Sequence, residues 1–218
     1  MSSLRWIFFD VGGTLIDESE QEAHVVAAIR TLFEGYGLYY DDETIYGKMI
    51  EASVAYLPPK NEAIRRLAQT QEQHQAITAT VRYPREKQKL YPGVAETLAS
   101  LAKKYRLGTI GNQHIGAQDD LERLGIHRHF SVFALSGDLG FSKPDKRIFT
   151  YALQEAGCRP QEALMVGDRL DNDIGPAKAL GFQTAWVMQG LGGLQTPRGP
   201  SFAPNITLRF IRDIAHIL

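Results

Sequence analysis

Short apolar runs recur along the chain, each closing on a polar or glycine-rich tip and most followed by a stretch with helical spacing: residues 6–9, 107–110, 163–166 and 184–188. That alternation predicts a parallel α/β sheet. Residues 94–104 and 148–156 carry helical apolar spacing, and Gly125, Gly157 and Gly181 stand where helices would stop. Such helices cover both faces, so the expected fold class is α/β, a doubly wound parallel sheet. At 218 residues and 44% hydrophobic content, the chain has enough apolar surface to bury a sizeable core without disulfide support.

Residues 18–89 read differently. Helix-like stretches around 23–33, 43–56 and 61–80 follow one another without convincing strands, and Pro58-Pro59 breaks the series. The reading is an inserted helical domain at 18–89, with the α/β domain made of 1–17 and 90–218. The polar stretch 83–89 and Tyr91-Pro92-Gly93 mark the return, and both crossings are expected to act as hinges. Residues 190–204, rich in glycine and proline, read as a loop before a final short strand and helix from Asn205 onward.

Composition narrows the partners. The 24 basic and 25 acidic residues nearly cancel, so no polyanion-binding surface is expected and nucleic acid is not an expected partner. The single cysteine, Cys158, cannot form an internal disulfide, and no apolar run approaches the roughly 18 residues of a membrane span. The opening MSSLRWIFFD has four apolar residues in its longest run, short of the roughly 7 to 15 of a signal-peptide core, so the expected compartment is the cytoplasm.

Asp10 follows the run WIFF directly, which puts a carboxylate at the carboxyl end of a strand, the edge where open α/β sheets bind ligands. As a lone residue it could equally cap a helix or start a turn. Two more tips repeat the arrangement, Gly111-Asn112 and Gly167-Asp168. Asp168 opens GDRLDND, where Asp171 and Asp173 add carboxylates at a density that suits a hard cation. Lys143 sits in GFSKPD before a proline that could open a helix.

Taken in order, FFDVGGTLID, TIGNQ, FSKPDKRIF and MVGDRLDNDIGPAKALGF resemble the four ordered motifs of the haloacid dehalogenase-like superfamily. The insertion between the first two resembles that superfamily's helical cap. The resemblance implies a magnesium-dependent hydrolase of the phosphatase type. In it Asp10 is the nucleophile that takes up the phosphoryl group, and water then hydrolyses the aspartyl-phosphate. Attack of a carboxylate on a phosphate monoester needs a divalent cation and a fixed positive group. By the family's pattern Asp10, Asp168 and the backbone carbonyl of Gly12 hold Mg²⁺, with Asp173 in support or direct ligation, and Lys143 supplies the fixed charge. Thr14 and the amides around Gly13 would contact the phosphoryl group, as would Gly111 and Asn112. The implied partner is a small phosphorylated metabolite.

Two departures from the pattern stand out. The second aspartate of the first motif, which protonates the leaving oxygen and then activates water, is Gly12 here, and the usual Ser or Thr before Asn112 is Gly111. General acid–base catalysis contributes about 10² to 10⁴-fold, so slower turnover is expected rather than none. His114 and Asp17 are candidate substitutes for the missing acid. Other readings stay open: carbon–halogen cleavage, since dehalogenases of the family also lack that aspartate; carbon–phosphorus cleavage, which needs a cap lysine such as Lys48 or Lys60; and a relative that binds a phosphorylated ligand or a protein without turnover.

Overall fold

The computed structural model describes residues 4–218. Six parallel strands form the main sheet: β1 (Trp6–Phe9), β4 (Arg106–Gly111), β5 (Val132–Leu135), β6 (Ala163–Gly167), β7 (Gln183–Val187) and β8 (Ile206–Leu208). A separate antiparallel ladder pairs β2 (Ile16–Asp17) with β3 (Lys89–Leu90). The sheet order is β5-β4-β1-β6-β7-β8, so the chain winds outward from β1 in one direction and then from β6 in the other. The switch between the two windings falls between β1 and β6, where doubly wound sheets open a crevice at their carboxyl ends.

β1 shows why its sequence forms a central strand. Ile7 and Phe9 point to one face, where they join α5 (Val94–Leu101) and α6 (Ala117–Arg123) through Val94, Leu98, Leu101 and Leu121. Trp6 and Phe8 point to the other, where they meet Ile148, Phe149, Ala152 and Leu153 of α8 (Lys146–Ala156) and Ala177 of α9 (Gly175–Ala179). A strand with apolar side chains on both faces needs both covered, as they are here.

The chain divides into two compact units, one running to Asp17 and resuming at Lys89–Leu218, the other Glu18–Gln88. The second is helical: α1 (Ser19–Glu34), α2 (Asp42–Val54), α3 (Pro59–Leu67) and α4 (Gln71–Thr80). Val25, Ile29 and Phe33 recur at four-residue intervals along the buried face of α1, and Ile45, Met49 and Ala52 at intervals of four and three along α2. Among the described residues no helix is long and apolar enough to cross a membrane.

Several local expectations need correction. The stretch read as helical over 61–80 is two helices, because Thr70 accepts from Gln73 N (3.2 Å) while Gln73 Oε1 takes Thr70 N (3.3 Å), a capping box that starts a new helix. Strand β5 is an addition to the four runs read in the sequence, and its four residues lie between Ser131 and the start of the short helix α7 (Ser136–Leu139). Pro144 does not open a helix; α8 starts at Lys146, where the Asp145 side chain accepts from Arg147 N (2.9 Å). The closing helix is a 3₁₀ segment, Ile211–His216.

Candidate active site

Asp10 continues β1 by one residue, its N–H donating to Val166 O at 2.8 Å, and is 8% exposed. Because β4 and β6 flank β1, the Gly111-Asn112 and Gly167-Asp168 tips stand on either side of it. The turn that follows is closed by Leu15 N and Ile16 N, both donating to Val11 O at 2.9 Å. Its left-handed position is Gly13 (φ +71°). Any side chain there would also fail for space, since a Cβ would lie 2.7 Å from Asp168 Oδ2. Gly13 therefore brings bare backbone against the second carboxylate. Thr14, fully buried, donates from Oγ1 to Asp168 Oδ1 at 3.1 Å, so its hydroxyl steadies that carboxylate.

Lys143 is 4% exposed, and its ammonium bridges Asp10 Oδ1 (2.6 Å) and Asp173 Oδ1 (2.5 Å). Its main chain is gripped from both sides by Asn112, whose Nδ2 donates to Lys143 O (2.9 Å) and whose Oδ1 accepts from Lys143 N (2.7 Å). Both ends of the Asn112 amide are thus spent on setting the lysine. Burial, the largest single influence, would push the Lys143 ammonium down, but the two carboxylates together outweigh it and hold its pKa above the usual lysine range. Burial and the Asp10 charge push the Asp173 carboxyl up to about 7, with Lys143 and the Arg169 amide pulling the other way. Two buried carboxylates crowd one ammonium.

The acidic segment after β6 forms a single π-helical turn, Leu170–Ile174. Asp173 Oδ2 accepts from Arg169 N (2.9 Å), and Gly167 is required behind it because a Cβ there would overlap the Asp173 carboxylate. Asp171 takes a different course, accepting from Arg169 Nε (3.1 Å) and Nη2 (2.6 Å). The Asp168 carbonyl accepts from the Trp186 indole at 2.5 Å. Trp186 and Gln195, which also binds this turn, escaped the reading of the sequence. Trp186 reads as an ordinary strand residue, and Gln195 lies in a loop where no local pattern marks it.

One oxygen from each of Asp10, Asp168 and Asp173 lies within 4.8 Å of the others, and all three residues are buried. Three carboxylates face one ammonium here, a charge imbalance that a buried site does not tolerate cheaply. An all-oxygen donor set with this imbalance fits a hard divalent cation. The remaining candidates lie on other partners. His114 Nε2 pairs with Asp120 Oδ2 at 3.2 Å, and Asp17 Oδ2 lies 3.7 Å from Lys89 Nζ. In the helical unit Lys48 pairs with Glu51 at 2.8 Å, and Lys60 donates to Val81 O at 2.9 Å.

Residues 7–187 match a family model described as haloacid dehalogenase-like hydrolase. The glyceraldehyde 3-phosphate phosphatase of Methanopyrus kandleri is 31% identical over 99% of this chain and 97% of its own length. That of Pyrococcus furiosus is 32% identical over 87% of this chain and 83% of its own. Among solved structures, a predicted phosphoglycolate phosphatase of Haemophilus somnus superposes with a TM-score of 0.75 at 23% identity, covering 100% of this chain and 99% of that one. At that identity the likeness speaks to the fold.

Proposed function

Because the chain belongs to the haloacid dehalogenase-like hydrolases, we propose that it is a Mg²⁺-dependent phosphatase of small phosphomonoesters, with Asp10 as the nucleophile and the helical unit as its cap. The observation that carries this reading is the buried meeting of Asp10, Asp168, Asp173 and Lys143 at the switch point of the sheet. Asp10 and Asp168, with the Gly12 carbonyl, would hold the cation, which when bound neutralises the carboxylates and lets a phosphate dianion approach. Asp173 would serve mainly by fixing Lys143, since its two oxygens are already taken by the lysine and by Arg169 N.

The protein's own residues then divide the work. An Asp10 carboxylate oxygen attacks phosphorus, the phosphorus–oxygen bond to the leaving alcohol breaks, and the carboxylate becomes an acyl phosphate. Lys143, which Asn112 fixes through its main chain and which keeps its proton, stabilises charge on the transferred oxygens. Water then attacks the acyl phosphate, inorganic phosphate departs, and the Asp10 carboxylate is restored. With glycine at position 12, the proton for the leaving alkoxide comes from solvent, which favours substrates whose leaving oxygen needs little help.

The names of the curated relatives favour a substrate of the size of glyceraldehyde 3-phosphate. A site with three carboxylates suits a cation and a phosphate better than an alkyl halide, which needs neither. Phosphate release from a panel of small phosphorylated metabolites, glyceraldehyde 3-phosphate first, with Mg²⁺ and with EDTA, tests the reading. Mg²⁺-dependent release from at least one member is expected. Silence across the panel, or equal release in EDTA, would overturn it.

A further inference from the structure

Outside the ordered motifs, the loop after β7 packs directly on the acidic turn. Gly192 lies so close to Asp168 that a Cβ there would overlap the carboxylate, and a Cβ on Gly190 (φ +56°) would sit 3.6 Å from Gly13 Cα. From the same loop Gln195, 2% exposed, reaches back with both ends of its amide. Its Oε1 accepts from Leu170 N at 2.7 Å, and its Nε2 donates to Asp171 Oδ1 at 2.9 Å. That Asp171 oxygen also accepts from Arg169 Nε at 3.1 Å, while Arg169 Nη2 holds the other at 2.6 Å. One side chain therefore clips two successive residues of the segment between Asp168 and Asp173, and holds Arg169 through them.

We infer that Gln195 is a positioning residue that sets the cation affinity of the turn carrying Asp168 and Asp173. The inference rests on the metal-dependent reading above. The turn is short and irregular: Arg169 O accepts from both Asp173 N (2.9 Å) and Ile174 N (3.3 Å), and Leu170 O from Gly175 N, the bonding of a single π turn. The amide clip supplies two more. Without it a buried N–H on Leu170 loses its acceptor, at a cost that favours rearrangement of the turn. Arg169, bound through both oxygens of Asp171, then follows that carboxylate, which has lost its Gln195 donor. Its guanidinium lies near Asp168 and Asp173, both of which help hold its pKa above the ordinary arginine value after burial and the Asp171 bond have acted. With Asp171 no longer fixed by Gln195, the Arg169–Asp171 pair can shift against those carboxylates and compete with a cation for them.

Two variants of the full chain test this. Gln195→Met keeps the size of the side chain and removes both bonds. Gln195→Glu keeps the acceptor for Leu170 N but sets a carboxylate against Asp171, and its extra negative charge would by simple attraction tighten a cation. Mg²⁺ is titrated calorimetrically into metal-stripped protein, alongside thermal unfolding without metal and the Mg²⁺ dependence of phosphate release. The expected result is weaker Mg²⁺ binding in both variants, by about tenfold, the scale on which groups supporting metal ligands act. The Mg²⁺ concentration for half-maximal activity should rise in parallel, and kcat at saturating Mg²⁺ should change by a smaller factor. Unchanged Mg²⁺ affinity in either variant that unfolds cooperatively, or tighter binding in Gln195→Glu, overturns the inference. Absence of Mg²⁺ binding in the unaltered protein would instead overturn the metal reading, and this inference with it.

Discussion

The two sides of the candidate site, both within the α/β unit, are built to different standards. On the charge-binding side three buried groups are held: Asp168 by Thr14 and through its carbonyl by Trp186, Asp173 by Lys143 and Arg169 N, Lys143 by two carboxylates and by Asn112. On the other side are the two positions where a phosphatase of this family would have an aspartate and a hydroxyl, here Gly12 and Gly111. The carboxylates and the lysine are all present, while one group that would move protons and one that would contact the phosphoryl group are replaced by glycine. On the proposed reading, cation binding and phosphoryl turnover should separate in this chain and respond to different substitutions.

The largest effects should come from the charge-binding side. Asp10→Asn keeps the shape of the nucleophile and removes its ability to attack, so turnover should fall by at least about 10³-fold. Phosphate release by purified variant and parent, with a mock purification to exclude a contaminating phosphatase, checks this; retained Mg²⁺-dependent hydrolysis would remove Asp10 from the nucleophile's role. Asp168→Ala comes next. It leaves the Thr14 hydroxyl without its acceptor and takes away one of three clustered carboxylates, so activity at a fixed Mg²⁺ concentration should drop on the order of a hundredfold. Added Mg²⁺ should recover part of it. Activity indifferent to both the substitution and EDTA would break the comparison, because the charge-binding side would then not be a cation site.

The two sides also differ in how far the sequence discloses them. Four apolar runs announce β1, β4, β6 and β7, because strands buried on both faces must be apolar throughout; their tips put Asp10, Asn112 and Asp168 at one edge before any coordinates are known. β5 is harder to see, since four residues between two serines carry little periodic signal. The break between α3 and α4 hangs on a side-chain exchange between Thr70 and Gln73, which helical spacing alone does not reveal. Within the site, the identity of charged residues is visible but their pairing is not. Asn112 faces Lys143 across 31 positions, and Gln195 meets Asp171 across 24, contacts made by the fold and marked by no local pattern.

The glycine side offers a gain in place of a loss. Gly12→Asp should raise turnover of an alkyl phosphate by up to about 10²-fold, by giving the leaving oxygen a proton donor and later a base for water. The left-handed residue of the turn is Gly13, so the backbone strain of a side chain at φ > 0 belongs to position 13. In the proposed cation site the contact from position 12 would be a main-chain carbonyl, which the substitution retains. Aryl phosphates should gain less, because their leaving groups depart without a proton. Parallel kinetics on an alkyl and an aryl phosphate, with melting curves for both proteins, decide the matter. No gain on the alkyl substrate in a folded variant that binds Mg²⁺ would mean that proton transfer does not limit this protein.

Gly111→Ser should do the least, although it restores the other missing side chain. A Cβ at position 111 would stand 3.2 Å from Val11 Cγ2, 3.3 Å from Gln113 Cγ and 3.5 Å from Leu135 Cδ2, so the site has closed around the glycine. Val11 is part of the core and 2% exposed, and Gln113 N is itself bonded to Ser136 Oγ at 3.0 Å. A serine there has to displace packed neighbours before its hydroxyl can face a phosphoryl group, and overpacking of this kind costs about 1 to 3 kcal/mol. The expected outcome is a lowered melting temperature with kcat/KM changed by less than about threefold, since one hydrogen bond to a phosphoryl oxygen is offset by the disturbed β4 tip. Gly12→Asp and Gly111→Ser measured side by side therefore separate two kinds of absence. At position 12 the missing group is chemical and its return is felt in turnover, while at position 111 the fold has repacked and its return is felt in stability. A Gly111→Ser variant that keeps its melting temperature and gains tenfold in kcat/KM would show that the β4 tip is as ready for its hydroxyl as the charge-binding side is for its cation.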